Sequence, residues 1–205
     1  MNHSTDTRAQ LLVVARDLFV RRGYDAVSVR EITSRAKANL GAITYHFGSK
    51  KALYHAAVES ITSALSQAVV GATRHSGAPL DRIESMMRAF LAHTADHPGG
   101  PRILLRELTS DRPMPPPLAK AMQGNLGALT AIIVAGQADG SIRPGDPALL
   151  AMSVVAQPFY IRIAERVVRV GLGLDQSDPI VRDRIIDHVA ESIRRTLASN
   201  PSALP

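Results

Sequence analysis

Ser28-Val-Arg-Glu-Ile-Thr-Ser-Arg-Ala-Lys-Ala-Asn-Leu-Gly-Ala-Ile-Thr-Tyr-His-Phe47 is the stretch whose reading decides the fold. Ser28 and Glu31 stand at the S-x-x-E spacing of a capping box, and Val27 with Ile32 fits the hydrophobic staple that flanks one. A helix is therefore predicted to begin at Ser28, with Val29, Ile32 and Ala36 inward. The apolar period stops at Lys37-Ala38, and Asn39 is a good N-cap for a second helix. Two short helices joined by a turn of about three residues have the layout of a helix-turn-helix.

At about 100° per residue, Leu40, Ile43 and Phe47 share one face of the second helix, and Gly41, Thr44 and Tyr45 share the other. A slim, hydroxyl-bearing outward face suits close approach to a duplex. Gly41 removes bulk, at a cost of about 1 kcal/mol relative to Ala in a helix interior, and Thr44 and Tyr45 can donate to phosphates or base edges. The same spacing also fits a helical hairpin packed in a core, with Gly41 at a helix crossing.

Charge favours a polyanionic partner. The chain of 205 residues has a formal net charge of +6, and residues 1–70 hold nine Lys/Arg against five acids, while 71–205 hold fifteen against thirteen. Positive charge thus concentrates around the helix-turn-helix. There are no cysteines, which excludes disulfides, thiolate metal sites and cysteine nucleophiles. The start, Met-Asn-His-Ser-Thr-Asp, lacks the apolar stretch of a signal peptide, and no run reaches the ~18 apolar residues of a membrane helix, so a cytoplasmic protein with no membrane partner is expected.

Gly23-Tyr-Asp-Ala26, Ser28-Val-Arg-Glu-Ile32 and Gly41-Ala-Ile-Thr-Tyr-His-Phe-Gly-Ser-Lys50, in register, resemble the N-terminal domain of the TetR family of bacterial transcriptional regulators over about residues 7 to 60. In the turn, Lys37-Ala-Asn-Leu40 replaces the frequent Gly-Val-Ser-Lys. The run Asn-Leu-Gly-Ala-Ile-Thr-Tyr-His-Phe resembles a subset of the family. The resemblance implies that residues 39 to 46 form the recognition helix and that Ser28, Tyr45, His46 and Lys50 touch phosphates. The expected DNA-binding set is Ser28, Arg30, Lys37, Asn39, Leu40, Gly41, Thr44, Tyr45, His46, Lys50 and Lys51. A lost turn glycine costs little if Lys37 avoids positive φ.

Elsewhere the pattern is helical throughout, and an all-α fold is predicted. Leu11, Leu12, Ala15, Leu18 and Phe19 stripe a first helix from about Thr7, which Asp6 or Thr7 can cap, to Arg22, closed by Gly23. Arg8 is either a phosphate contact or a solvated side chain. Ser49 caps a fourth helix with Leu53, Ala57, Ile61, Ala64, Leu65 and Ala68 inward. Lys50 and Lys51 open it, where the helix dipole disfavours cations, so they serve either an anionic partner or solubility. The punctuated 71–79 stretch reads as a joint, giving a DNA-binding domain at 1–52, a connecting helix at 53–75 and an effector-binding and dimerisation domain at 76–205. His93 and His97 share a helix face, but two ligands without a third do not make a metal site. Neither metal nor cofactor is expected.

The second domain carries helices at about 80–95, 101–110 and 117–138, with 112–117 an extended Pro-rich connection. Asp146-Pro147 and Asp178-Pro179 each open a further helix. The first of these is expected to kink at Gln157-Pro158. The apolar residues of the first, Leu149, Leu150, Met152, Val154, Val155, Phe159, Ile163, Val167 and Val168, and the stripe of the second, Val181, Ile185, Ile186, Val189, Ile193 and Leu197, together suggest a two-fold four-helix interface with a second copy. The resemblance implies the same homodimer through the last two long helices, a palindromic operator and a small-molecule effector that releases it. Met86, Phe90, Arg106, Glu107, Met122, Gln157, Phe159 and Tyr160 are candidate pocket residues or plain core and surface. Gln157 serves either a ligand or the carbonyl freed by Pro158. The reading is a transcriptional repressor rather than an enzyme, since no nucleophile-base set, phosphate loop or metal spacing exists. An effector-independent DNA-binding protein and a small all-helical enzyme are the alternatives.

Overall fold

The computed structural model of the chain describes residues 3–74 and 77–200, with side chains from Asp6 onward. Of the 71–79 joint, His75 and Ser76 lie outside the described residues, as do the first two residues of the N-terminus. The described chain forms ten helices: α1 (His3–Arg22), α2 (Val29–Arg35), α3 (Ala42–Phe47), α4 (Lys50–Ala72), α5 (Pro79–Asp96), α6 (Gly99–Leu108), α7 (Pro116–Ala138), α8 (Pro147–Ile163), α9 (Glu165–Leu172) and α10 (Pro179–Leu197). They divide into two compact units, one of residues 1–64 and 102–121 and the other of 65–101 and 122–205. The sequence alone places boundaries at 52 and 75. The fold instead divides α4 in its middle and gives the 102–121 segment to the first unit.

In the first unit α1 packs on α2 and α3, and α2 packs on α3. Leu11, Ala15, Leu18, Phe19, Val27, Ile32, Ala36, Ile43, Leu53, Ala57 and Val58 fill the interior, as the apolar periods require. Helix α1 begins at His3, earlier than the predicted cap, so Asp6 sits in its first turn, where a negative charge meets the positive end of the dipole. Tyr54 and Thr62 are buried with the α4 stripe, whereas Ala64, expected inward, is exposed.

In the second unit the core is built by Ile83, Met86, Met87 and Leu91 of α5, Leu129, Ile132 and Ile133 of α7, Leu150 and Val154 of α8, and Val189, Ile193 and Leu197 of α10. Helix α7 is by length and composition apolar enough to cross a membrane, contrary to the sequence expectation, yet this stripe of it is spent on the core. Asp146 and Asp178 cap α8 and α10 as predicted, accepting from Ala148 N at 2.8 Å and Ile180 N at 2.9 Å. Pro158 is buried inside α8 without ending it. A bend of 75° at Ala164 separates α8 from α9.

A short antiparallel bridge, Ile142 to Ala198, closes the C-terminal end, with Arg143 N donating to Leu197 O at 2.8 Å. There the backbone of α7 comes so close that a Cβ on Gly136 would lie 2.5 Å from Ile142 Cδ1. Any side chain at this position would have to displace Ile142 from its buried seat. Across α5 and α10, Arg194 donates to Glu84 at 2.8 Å and to Asp81, and Arg88 bridges Glu84 at 2.9 Å to Asp187 at 2.6 Å.

Candidate nucleic-acid interface

Half of the capping box forms. Ser28 Oγ accepts from Glu31 N at 3.0 Å, but the Glu31 carboxylate is held by Arg22 Nη1 at 2.7 and 2.8 Å and by Arg35 at 3.1 Å. It ties α1 to α2 instead of returning to Ser28. The Ser28 hydroxyl keeps its own proton to donate outward. Thr33 is buried beside Ile32, its hydroxyl donating to Val29 O at 3.1 Å.

The turn departs from expectation. Lys37 takes φ 52, the one non-glycine residue with positive φ among those described, so the condition under which a missing glycine costs nothing is not met. Asn39 does not cap the second helix through its side chain. Its carbonyl accepts from Ala42 N at 3.1 Å, closing a tight turn that delays regular helix until Ala42 and leaves Gly41 at the N-cap position. Leu40, expected inward, is 62% exposed for the same reason.

The outward set of α3 is as predicted: Gly41, Thr44 and Tyr45 are exposed, Tyr45 to 80%. Of the inward set Ile43 is buried and Phe47 half-buried, and Ala42 is buried in the place expected of Leu40. A Cβ at Gly41 would meet only Asn39 Oδ1, at 3.7 Å, so nothing inside the unit demands glycine there. His46 sits edge-on to Tyr45, their centroids 4.8 Å apart, and fixes the direction of the tyrosine ring. Gly48, with φ 81, ends α3 by donating to Thr44 O at 3.0 Å, and Ser49 Oγ accepts from Ala52 N at 3.1 Å to start α4.

Of the cations, Arg30, Lys37 and Lys51 are exposed. Arg8 stacks over Phe47 at 4.9 Å and Lys50 over Tyr24 at 4.2 Å. Burial lowers the Lys50 ammonium, Asp25 raises it and Arg112 lowers it further, the net being downward. Ring stacking leaves its N–H donors available to an anion. The lone histidine pairing on α5 is likewise perturbed: burial first, then His97, lowers His93.

Sequence reasoning missed a buried cluster behind this face. Phe19, Tyr24 and Tyr54 stack on one another, and Tyr54 Oη donates to Glu107 at 2.5 Å. Arg112 donates to Glu107 at 3.0 Å, lies 4.7 Å over Tyr24 and pairs with Asp25 at 3.5 Å. Burial, then the Glu107 carboxylate, pushes the Tyr54 hydroxyl far above its ordinary value. Arg106 reaches the C-terminal carbonyls of α1, donating to Val20 O at 3.3 Å and Arg21 O at 2.5 Å. Arg106 and Glu107, named from sequence as pocket residues, therefore hold the helix-turn-helix unit together. Their only local signal was the charged pair at the end of an apolar helix. Of the other pocket candidates, Met86 is core; Phe90, Met122, Gln157 and Phe159 are half-buried; and Tyr160 is 56% exposed.

Residues 11–57 match the family model described as bacterial regulatory proteins, tetR family. The transcriptional repressor Rv3405c of Mycobacterium tuberculosis is 35% identical over 109 residues, 53% of this chain and half the length of that protein. The transcriptional regulator RutR of Escherichia coli K12 is 27% identical over 188 residues, 89% of this chain and 86% of that one. A tetR-family regulatory protein from Rhodococcus RHA1 shares the fold with a TM-score of 0.76 at 22% identity, over 94% of this chain and 97% of that one. With the helix-turn-helix set in the matched segment and an all-helical second unit following it in the chain, the protein carries over residues 11–57 the DNA-binding domain of the tetR family of bacterial regulatory proteins.

Proposed function

We propose that the chain is a homodimeric transcriptional repressor that reads a palindromic operator with α3 and releases it when the second unit takes up a small molecule. The observation that carries this reading is the outward face of α3. Gly41, Thr44 and Tyr45 are exposed over a buried Ala42-Ile43 bed, and Ser28, Arg30, Lys37, Asn39, Leu40, His46, Lys50 and Lys51, exposed or half-buried, flank them in the chain. Small and hydroxylic groups rimmed by cations suit base edges in the middle and phosphates at the rim.

A dimer would set two such helices about 34 Å apart, in successive major grooves. Val189, Ile193 and Leu197 of the α10 stripe are buried in their own chain and Ile185 and Ile186 partly so, so the main support for the interface comes from the outer face of α8, where Leu149 and Met152 are each 61% exposed and Tyr160 lies on the same line. The name of Rv3405c favours repression.

Footprinting of the purified protein on genomic DNA, followed by titration of the recovered site, tests the reading. Tyr45→Ala and Lys50→Ala are each expected to weaken operator binding and to make the dependence on log salt shallower, by about one for each phosphate that the variant no longer touches. Unaltered affinity and slope in both would remove the assigned docking face.

A further inference from the structure

We infer that Arg162 is an anion-binding residue of the second unit and that the effector is a carboxylate on an otherwise apolar body. The inference rests on the effector-responsive reading above and gives that effector a chemical class.

Arg162 stands in the last turn of α8, half-buried. Nη1 donates to Gln176 Oε1 at 2.7 Å and Nη2 to Leu91 O at 2.9 Å. Gln176, only 4% exposed, is itself fixed by donating to Ile161 O at 3.1 Å. Both acceptors are neutral. Among the described residues no carboxylate pairs with Arg162, and its Nε is buried with no partner.

The neighbouring acids are otherwise engaged. Asp96 is 73% exposed at its side chain and pairs with Arg182 at 3.7 Å, and Glu165 is exposed at the start of α9. Burial lowers Arg162; Glu165 and Asp96 oppose this from a distance, and Arg182 adds to it. A guanidinium nevertheless stays protonated at any physiological pH. Of the other half-buried arginines, Arg88, Arg112 and Arg194 each meet a carboxylate, and Arg82, which meets a carbonyl, spends its Nε on it at 3.0 Å, whereas the Arg162 Nε is left without a partner.

A partly buried charge with no carboxylate paired to it lowers stability, and groups perturbed by burial cluster at functional sites. The planar fork of Nε and the Nη beside it matches the two oxygens of a carboxylate. Both anchors, Leu91 and Ile161, belong to the apolar cluster of α5, α7, α8 and α10. An anion reaching the guanidinium would therefore lie against hydrocarbon, which fixes the apolar character of the rest of the ligand.

The test uses the full chain without DNA, so that its failure leaves the operator experiment standing and the reverse. Melting temperature and titration calorimetry are recorded against straight-chain carboxylates from acetate to octanoate and benzoate, each beside its neutral amide. The expected result is that at least one carboxylate raises the melting temperature where its amide does not. Arg162→Gln should abolish the response, and Arg162→Lys, which keeps the charge and loses the fork, should weaken it at least tenfold. Carboxylates no better than their amides, or a response that survives in folded Arg162→Gln, would overturn the assignment.

Discussion

Lys37 holds a left-handed backbone without being glycine, and it does so in the turn that leads into α3. The left-handed conformation costs a non-glycine residue roughly 1–2 kcal/mol, part of which glycine would return as extra unfolded-state entropy. Lys37→Gly should therefore stabilise the chain by about 0.5–1 kcal/mol in a urea titration; a loss of stability would mean that the Lys37 side chain makes compensating interactions. Sequence reasoning located this turn but misjudged its geometry. Capping preferences are local, and the competing bond from Ala42 N to the Asn39 carbonyl depends on where the buried Ile43 must go. The exposed positions Gly41, Thr44 and Tyr45 were legible because a helix period alone sets them opposite Ile43. The exposure of Leu40 was not, since it lies in the turn before that period begins.

At the scale of helices, the apolar stripes of α1, α5, α7 and α10 were readable from spacing, and the caps of α8 and α10 from the Asp-Pro pairs. What each stripe packs against was not. The α10 stripe, read with the apolar surface of α8 as a dimer surface, also packs on α5 of its own chain, joined there by Arg194, Glu84 and Arg88. Burial alone would raise the Glu84 carboxyl, but the hydrogen bonds and charges of Arg194 and Arg88 hold it below its ordinary value. A depressed pKa contributes stability in full above the unfolded value of about 4.3, and that contribution is lost as pH falls from there through the folded pKa. His93, also depressed, adds a loss that starts below its unfolded value of about 6.5. Chemical denaturation from pH 8 down to about pH 2 should show stability declining in these two windows, and Glu84→Gln should flatten the lower one. A stability profile that rises on acidification would contradict the assignment. The role of the 102–121 segment was likewise hidden, because Tyr54 and Glu107 lie 53 residues apart and only folding brings them together.

For the molecule as a whole, the outer face of α8 is the surface that a second copy would cover. Met152→Glu is expected to shift the protein to monomer in analytical ultracentrifugation and to cost it operator binding, since one recognition helix spans only a few base pairs; a variant that stays dimeric would move the interface elsewhere. The account depends most on the slim side of α3 lying in a groove. Gly41 has room for a side chain within its own unit, so Gly41→Leu adds bulk to that side without disturbing the fold. Fluorescence anisotropy of the footprinted operator is the direct measurement. At fixed salt, Gly41→Leu should bind at least tenfold more weakly while melting at the temperature of the unmodified protein, and equal affinity would contradict the docking of α3 in the groove.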